Sequence, residues 1–181
     1  MDITFITGNE HKAKYVAQWL GVKLQHQKLD LDELQTLDLR ELVAHKAKQA
    51  YSKIGSPVLV EDANLIFNAL GHLPGPFIKF FVEDAGLEAT CRMLDGFSDR
   101  TAHGDMCYAL YDGKDMRFFE GTMTGTIADK PKGAGGFGFD PIFINDGQPL
   151  TRSEMSEQTY ADTSYRKIAL DKLAECLHAQ A

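Results

Sequence analysis

Apolar positions change their spacing along the chain, and the changes mark its elements. Residues 3–6 form a short β-branched and aromatic run, broken by Thr7-Gly8-Asn9, after which Ala13, Val16, Ala17 and Leu20 recur at helical spacing. This predicts strand, turn, helix. A second strand is expected over residues 22–27, then an acidic connector over 29–38. Leu39, Leu42, Val43, Ala47, Ala50 and Ile54 next mark one face of a helix that stops at Gly55. Residues 57–60 read as a buried strand ending at Glu61-Asp62, which places two carboxylates at a strand's C-terminal edge, where open α/β sheets bind ligands.

The second half reads differently. A helix is expected over residues 87–94. Residues 101–112 and 116–129 are strand-like and joined by Asp112-Gly113-Lys114-Asp115, a hairpin signal. Ile168, Ala169, Leu173, Ala174 and Leu177 predict a last amphipathic helix over 164–177. No repeat, linker or low-complexity tract interrupts the chain, so residues 1–181 are expected to form a single α/β domain with two lobes rather than two independent domains.

At 181 residues and 44% apolar content the chain can bury a core of its own. No apolar stretch approaches the roughly 18 to 20 residues of a membrane span, and the first residues lack the layout of a secretory signal, so a cytoplasmic protein is expected. Cys91, Cys107 and Cys176 are odd in number and lack CxxC spacing, which argues against a disulfide framework or a structural zinc site. A net charge of −7 argues against broad nucleic-acid binding, so a phosphate-bearing ligand would be met by a few lysines and a metal.

Four segments carry candidate chemistry. In Thr7-Gly8-Asn9-Glu10-His11-Lys12 a turn opens a helix, whose free N–H groups and dipole favour an anion; Lys12 adds countercharge. The simpler reading is a turn alone, and no Walker loop is present. Glu33, Glu61 and Asp62 are carboxylates of the kind that hold Mg²⁺ beside substrate phosphates, although each also suits a solvated surface. A rigid Gly-Pro turn over residues 71–76 precedes Lys79, which either reaches a phosphate or is solvated. In residues 133–141, glycines alternate with Phe137 and Phe139 ahead of Asp140, either as an ordinary loop or as a pocket wall whose aromatics cover a base and whose carboxylate reads its edge.

In order along the chain, TGNEHK at 7–12, the glutamate of LDELQ at 31–35, VLVEDANLIFNALGHLPGPFIKFF at 58–81, GGFGFDPIF at 135–143, and SEM with SYRKIAL within 153–170 resemble the inosine triphosphate pyrophosphatase family. The resemblance implies an elongated mixed α/β sheet with two lobes around a central nucleotide-binding cleft, and a homodimer. It places Thr7, Gly8, Asn9 and Lys12 in a triphosphate loop, with Lys46 and Lys79 as further phosphate ligands. Glu33 and Asp62 fall on its metal carboxylates, with Glu61 beside them. Phe137, Gly138, Phe139 and Asp140 fall where the base is enclosed and read, and Arg166 matches the arginine of its Ser-His-Arg motif. The chain departs from the pattern at Tyr165 and Tyr160, where a histidine and a lysine are typical, and at Ala63-Asn64 after the aspartate.

The expected activity is Mg²⁺-dependent hydrolysis of non-standard purine nucleoside triphosphates (ITP, dITP, XTP) to the monophosphate and pyrophosphate, which cleanses the nucleotide pool. Asp62 or Glu61 would activate water and Lys12 would steady the phosphates. Two alternatives stand beside it. One is the same reaction on another modified purine or a pyrimidine, favoured by Tyr160 and Tyr165; the other is a catalytically silent nucleotide binder, disfavoured by the retained carboxylates and lysines.

Overall fold

A computed structural model describes residues 2–179. It contains a mixed α/β fold with one seven-stranded sheet in the order β2-β1-β3-β5-β6-β7, and β4 beside β3. The strands are β1 (Thr4–Ile6), β2 (Gln25–Gln27), β3 (Val58–Phe67), β4 (Pro74–Gly75), β5 (Thr101–Tyr111), β6 (Met116–Ile127) and β7 (Phe143–Asn145). The helices are α1 (Glu10–Leu20), α2 (Leu39–Ile54), α3 (Ile78–Phe80), α4 (Leu87–Arg92), α5 (Glu157–Asp162) and α6 (Tyr165–His178). β1 runs parallel to both β2 and β3, whereas β3–β4 and β6–β7 pair antiparallel. Among the described residues no helix is long and apolar enough to cross a membrane.

The chain divides into two compact units. The first comprises Met1–Asp62, Met106–Gly121 and Arg166–Ala181. Its sheet is parallel at the N-terminal end and covered by α2, whose Leu39, Leu42, Val43, Ala47 and Ala50 pack on Val58 and Val60 of β3 and on Cys107 and Ala109 of β5. Helix α2 begins at Asp38, whose carboxylate accepts from the N–H groups of Arg40 and Glu41. It ends at Gly55, which adopts φ 73°, a conformation costly for residues with a Cβ. On the opposite face of the pleat Phe5 and Tyr108 bring their rings within 6.4 Å. The indole of Trp19 in α1 donates to Asp171 in α6 at 2.9 Å.

The second unit comprises Ala63–Asp105 and Thr122–Tyr165. Leu65 and Phe67 of β3, Ile78, Cys91, Leu94, Met123, Ile127, Ile142 and Phe143 build its core. Arg100 satisfies three carbonyls there, those of Cys91, Ile127 and Ala128, at 2.9–3.0 Å.

One expected boundary is corrected. β3 does not end at Glu61-Asp62 but continues to Phe67, so the two carboxylates sit in mid-strand. The apolar residues Leu65, Ile66 and Phe67 extend the strand, and Leu65 and Ile66 pair with Gly75 and Pro74 of β4. The charged pair is tolerated because cations await it on both faces, as described below. The second strand is shorter than expected, and α4 stops two residues before the expected end.

Close packing in the second unit makes a stability prediction. A Cβ on Gly125 of β6 would lie 2.0 Å from the carbonyl oxygen of Ile144, whereas the nearest atom to one on Gly104 is the flexible end of Met123 at 3.0 Å, with the Asn64 carbonyl oxygen in ordinary contact at 3.5 Å. Gly125→Ala is expected to destabilise by about 2–3 kcal/mol, lowering Tm by roughly 4–12 °C. Gly104→Ala should lose much less. Thermal unfolding followed by circular dichroism checks this, and equal losses in the two variants would contradict it.

Candidate active site

In the first unit the functional side chains are placed by β3, by the β1–α1 turn and by α2. Thr7 Oγ1 accepts from the N–H of Asn9 at 3.1 Å, and Asn9 Oδ1 accepts from the N–H of Lys12 at 3.0 Å. Asn9 is thus the N-cap of α1, and its capping bond aims Lys12 from the first turn. Successive side chains of a strand point to opposite faces, so Glu61 and Asp62 diverge.

Glu61 takes the face opposite α2. Its side chain is 7% exposed, and its two oxygens are engaged by Lys12 Nζ and by Arg166 at the start of α6. The same guanidinium donates to the hydroxyl of Tyr108 at 2.8 Å. Burial alone would disfavour the charged carboxylate, but the two cations overcome it and hold the Glu61 pKa down to about 2. The Tyr108 hydroxyl is pushed well above its ordinary pKa by burial and by the Glu61 charge.

Asp62 takes the α2 face. Lys46 lies 2.8 Å from Asp62 and 3.5 Å from Glu33, so one ammonium joins the two carboxylates expected to hold a metal. Burial acts to lower the Lys46 pKa, but Asp62 and Glu33 outweigh it and the value is raised. A cavity of about 260 Å³ opens beside this cluster, lined by Thr7, Gly8, Lys28, Asp30, Glu33 and Lys46 among others. Two carboxylates converging on one cation offer hard oxygen donors of the kind that could hold Mg²⁺.

The remaining expected residues lie in the second unit. Lys79 is exposed on α3, and Gly138 follows Phe137, whose ring is 72% exposed. Phe139 instead is 8% exposed and packs 6.3 Å from the ring of Phe143, so of the two aromatics only Phe137 is presented to solvent. Asp140 is 4% exposed. Its Oδ1 accepts from Arg152 Nε at 3.1 Å, and its Oδ2 accepts from the N–H of Phe137 at 2.7 Å and from the Tyr160 hydroxyl at 3.0 Å. The guanidinium of Arg152 also lies 4.1 Å from the ring centroid of Tyr160. Burial and then the Asp140 charge raise the Tyr160 pKa. Tyr165 packs against the core at the start of α6.

Tyr108, Arg152 and Lys28 were not anticipated. Tyr108 lies within an apolar strand pattern, and Arg152 is 2% exposed, whereas arginine is normally a surface residue. The neighbouring Thr151 and Glu154 do form a capping box, a pattern that marks a turn but not the burial of the arginine between them. Arg152 also donates to Asn145 at 2.8 Å. Arg152→Met would leave Asp140 buried without its counter-ion. The expected cost is about 3–5 kcal/mol, or roughly 6–20 °C in Tm. Arg152→Lys should lose less. A calorimetric Tm for Arg152→Met within about 2 °C of the unsubstituted protein would contradict a strong buried pair.

Relatives match along nearly the whole length. The Ham1 family model matches residues 3–176. An inosine triphosphate pyrophosphatase of Emericella nidulans is 40% identical over 179 residues, covering 97% of this chain and 96% of that protein. A dITP/XTP pyrophosphatase of Methanopyrus kandleri is 34% identical over 180 residues, with 97% and 95% covered. The solved Ham1 protein of Staphylococcus aureus shares the fold, with a TM-score of 0.90 at 22% identity over 100% of both chains. With the family model matched over residues 3–176 and relatives 34–40% identical over nearly the whole chain, the chain belongs to the Ham1 family.

Proposed function

We propose that the protein is an enzyme that hydrolyses non-standard purine nucleoside triphosphates (ITP, dITP and XTP) to the monophosphate and pyrophosphate. The substrate class is supported by relatives named for these activities, matched across nearly their whole length. The observation that carries the chemistry is the Lys46 ammonium shared by Asp62 and Glu33 beside the turn that opens α1. Carboxylates held at one cation suit a divalent ion, and a lysine so placed lines the cavity that a phosphate would enter.

In this mechanism Asp62 and Glu33 would hold Mg²⁺, which would neutralise phosphate charge and the charge that develops on the leaving group. Lys46, which lines the cavity beside them, would bring its positive charge to the phosphates. Lys12 extends from the N-terminal turn of α1, where the Asn9 cap leaves backbone donors near an anion, and Glu61 fixes its position. Water attacks the α-phosphorus, the bond to the bridging oxygen breaks, and that oxygen leaves with pyrophosphate.

Asp62 orients the water or accepts its proton. Glu61 is a positioning residue, because Lys12 and Arg166 occupy its two oxygens and its side chain is buried. In the second unit Phe137 supplies a face for the base, held at its backbone by Asp140. With Arg152 and Tyr160 already on its oxygens, Asp140 retains little acceptor capacity of its own. Lys79 is assigned to the phosphates, as the family resemblance implies, and the active species to a homodimer in the cytoplasm.

Asp62→Asn is expected to lower kcat with ITP by at least about a hundredfold while the far-ultraviolet circular dichroism stays unchanged. Near-normal turnover at ordinary Mg²⁺ would remove Asp62 from the mechanism. Phosphorus NMR of the unsubstituted enzyme acting on ITP should resolve IMP and pyrophosphate from the first turnovers. Early orthophosphate and IDP would mean cleavage of the terminal phosphate instead.

A further inference from the structure

We infer that Lys28 is a further phosphate-binding residue, contributing its ammonium to the cavity beside the β1–α1 turn; this rests on the phosphohydrolase reading above. The first observation is place. Lys28 follows β2, which pairs in parallel with β1, and it lines the same cavity as Thr7, Gly8, Glu33 and Lys46. Parallel pairing brings the chain leaving β2 alongside the turn leaving β1, and the N–H of Thr7 accordingly donates to the carbonyl of Gln27 at 3.0 Å.

The second observation is charge. Lys12 is held by Glu61, and Lys46 is held by Asp62 and Glu33. No carboxylate among the described residues lies within ion-pair distance of Lys28. Of these three ammonium groups it is the one that no carboxylate of the described residues pairs with. A polyphosphate entering the cavity therefore meets a cation that needs no exchange of partners, and desolvation of the cavity strengthens that attraction.

The third observation is fit. A Cβ on Gly8 would lie 3.0 Å from Cδ and 3.2 Å from Cγ of Lys28. Gly8 does not adopt positive φ, so its missing side chain provides room rather than an unusual backbone angle. That room is filled by the methylene stem of Lys28, which lies across the turn. The absence of a Cβ at position 8 thus lets Lys28 lie over the phosphate loop.

Two measurements test the assignment. Calorimetric titration with inorganic pyrophosphate is expected to show roughly tenfold weaker binding in Lys28→Met, as for loss of a charge-assisted hydrogen bond, with Lys28→Arg close to the unsubstituted protein. In steady-state kinetics with ITP, KM should rise roughly tenfold while kcat changes by less than about threefold, the pattern of a contact made equally in the ground and transition states. Gly8→Ala should also weaken pyrophosphate binding by displacing the lysine stem, and its effect should largely vanish in a Lys28→Met background, since residues in contact are not additive. Pyrophosphate affinity and KM both within about twofold of the unsubstituted values in Lys28→Met would overturn the assignment. The underlying phosphohydrolase reading fails separately, when the unsubstituted enzyme does not convert ITP to IMP and pyrophosphate.

Discussion

The pleat of β3 sets the constraint on which the first unit depends. Two adjacent carboxylates in one strand must point to opposite faces, so Glu61 and Asp62 cannot share a partner or a task. Burying ionised carboxylates in a sheet is costly unless each is paired, and the surrounding elements supply the cations: Lys12 and Arg166 on one face, Lys46 on the other. The start of α1, the start of α6 and the middle of α2 are each tied to the strand by charge, and α2 by apolar packing as well. The same divergence separates the ion cluster around Glu61 from the one around Asp62.

The difference between the clusters lies in their wiring. Glu61 has one cation for each oxygen, and Tyr108 buttresses the arginine, which makes a rigid anchor. Asp62 shares its lysine with Glu33, whose side chain is 54% exposed on a connector without regular structure. A group divided between two carboxylates, one of them on such a segment, can be displaced at lower cost. The second unit has its own buried ion pair, Asp140 with Arg152, which fixes the backbone of the glycine-rich loop at Phe137. Gly136 there has φ 91°, and a Cβ would lie 2.6 Å from Asp140, so the loop closes over the carboxylate only without a side chain.

Much of this was legible in the sequence where the signals were local. The turn at Thr7-Gly8-Asn9, the apolar face of α2 and its stop at Gly55, and the hairpin between β5 and β6 follow from short-range chemistry and periodicity. β3 was misjudged because two charges look like a strand end, and only the distant partners at Lys12, Lys46 and Arg166 explain their place in mid-strand. Arg152 was invisible for the same reason, since its burial depends on Asp140 and Asn145 from separate turns. Asp140 and Phe139 stand where the family resemblance implies base contacts, whereas the carboxylate is largely engaged by protein donors and the ring is in the core. Lys28 carries no motif, and its place follows from parallel strand pairing.

Asp62 and Glu33 share one ammonium, that of Lys46, and a divalent ion held by the same two carboxylates would have to exchange with it. Calorimetric titration of the nucleotide-free protein with Mg²⁺, compared with Lys46→Met, tests it most directly. Removing a competing ammonium from the two carboxylates should tighten Mg²⁺ binding in the variant, even as its affinity for pyrophosphate falls. Mg²⁺ binding that is unchanged or weaker in Lys46→Met would contradict the exchange.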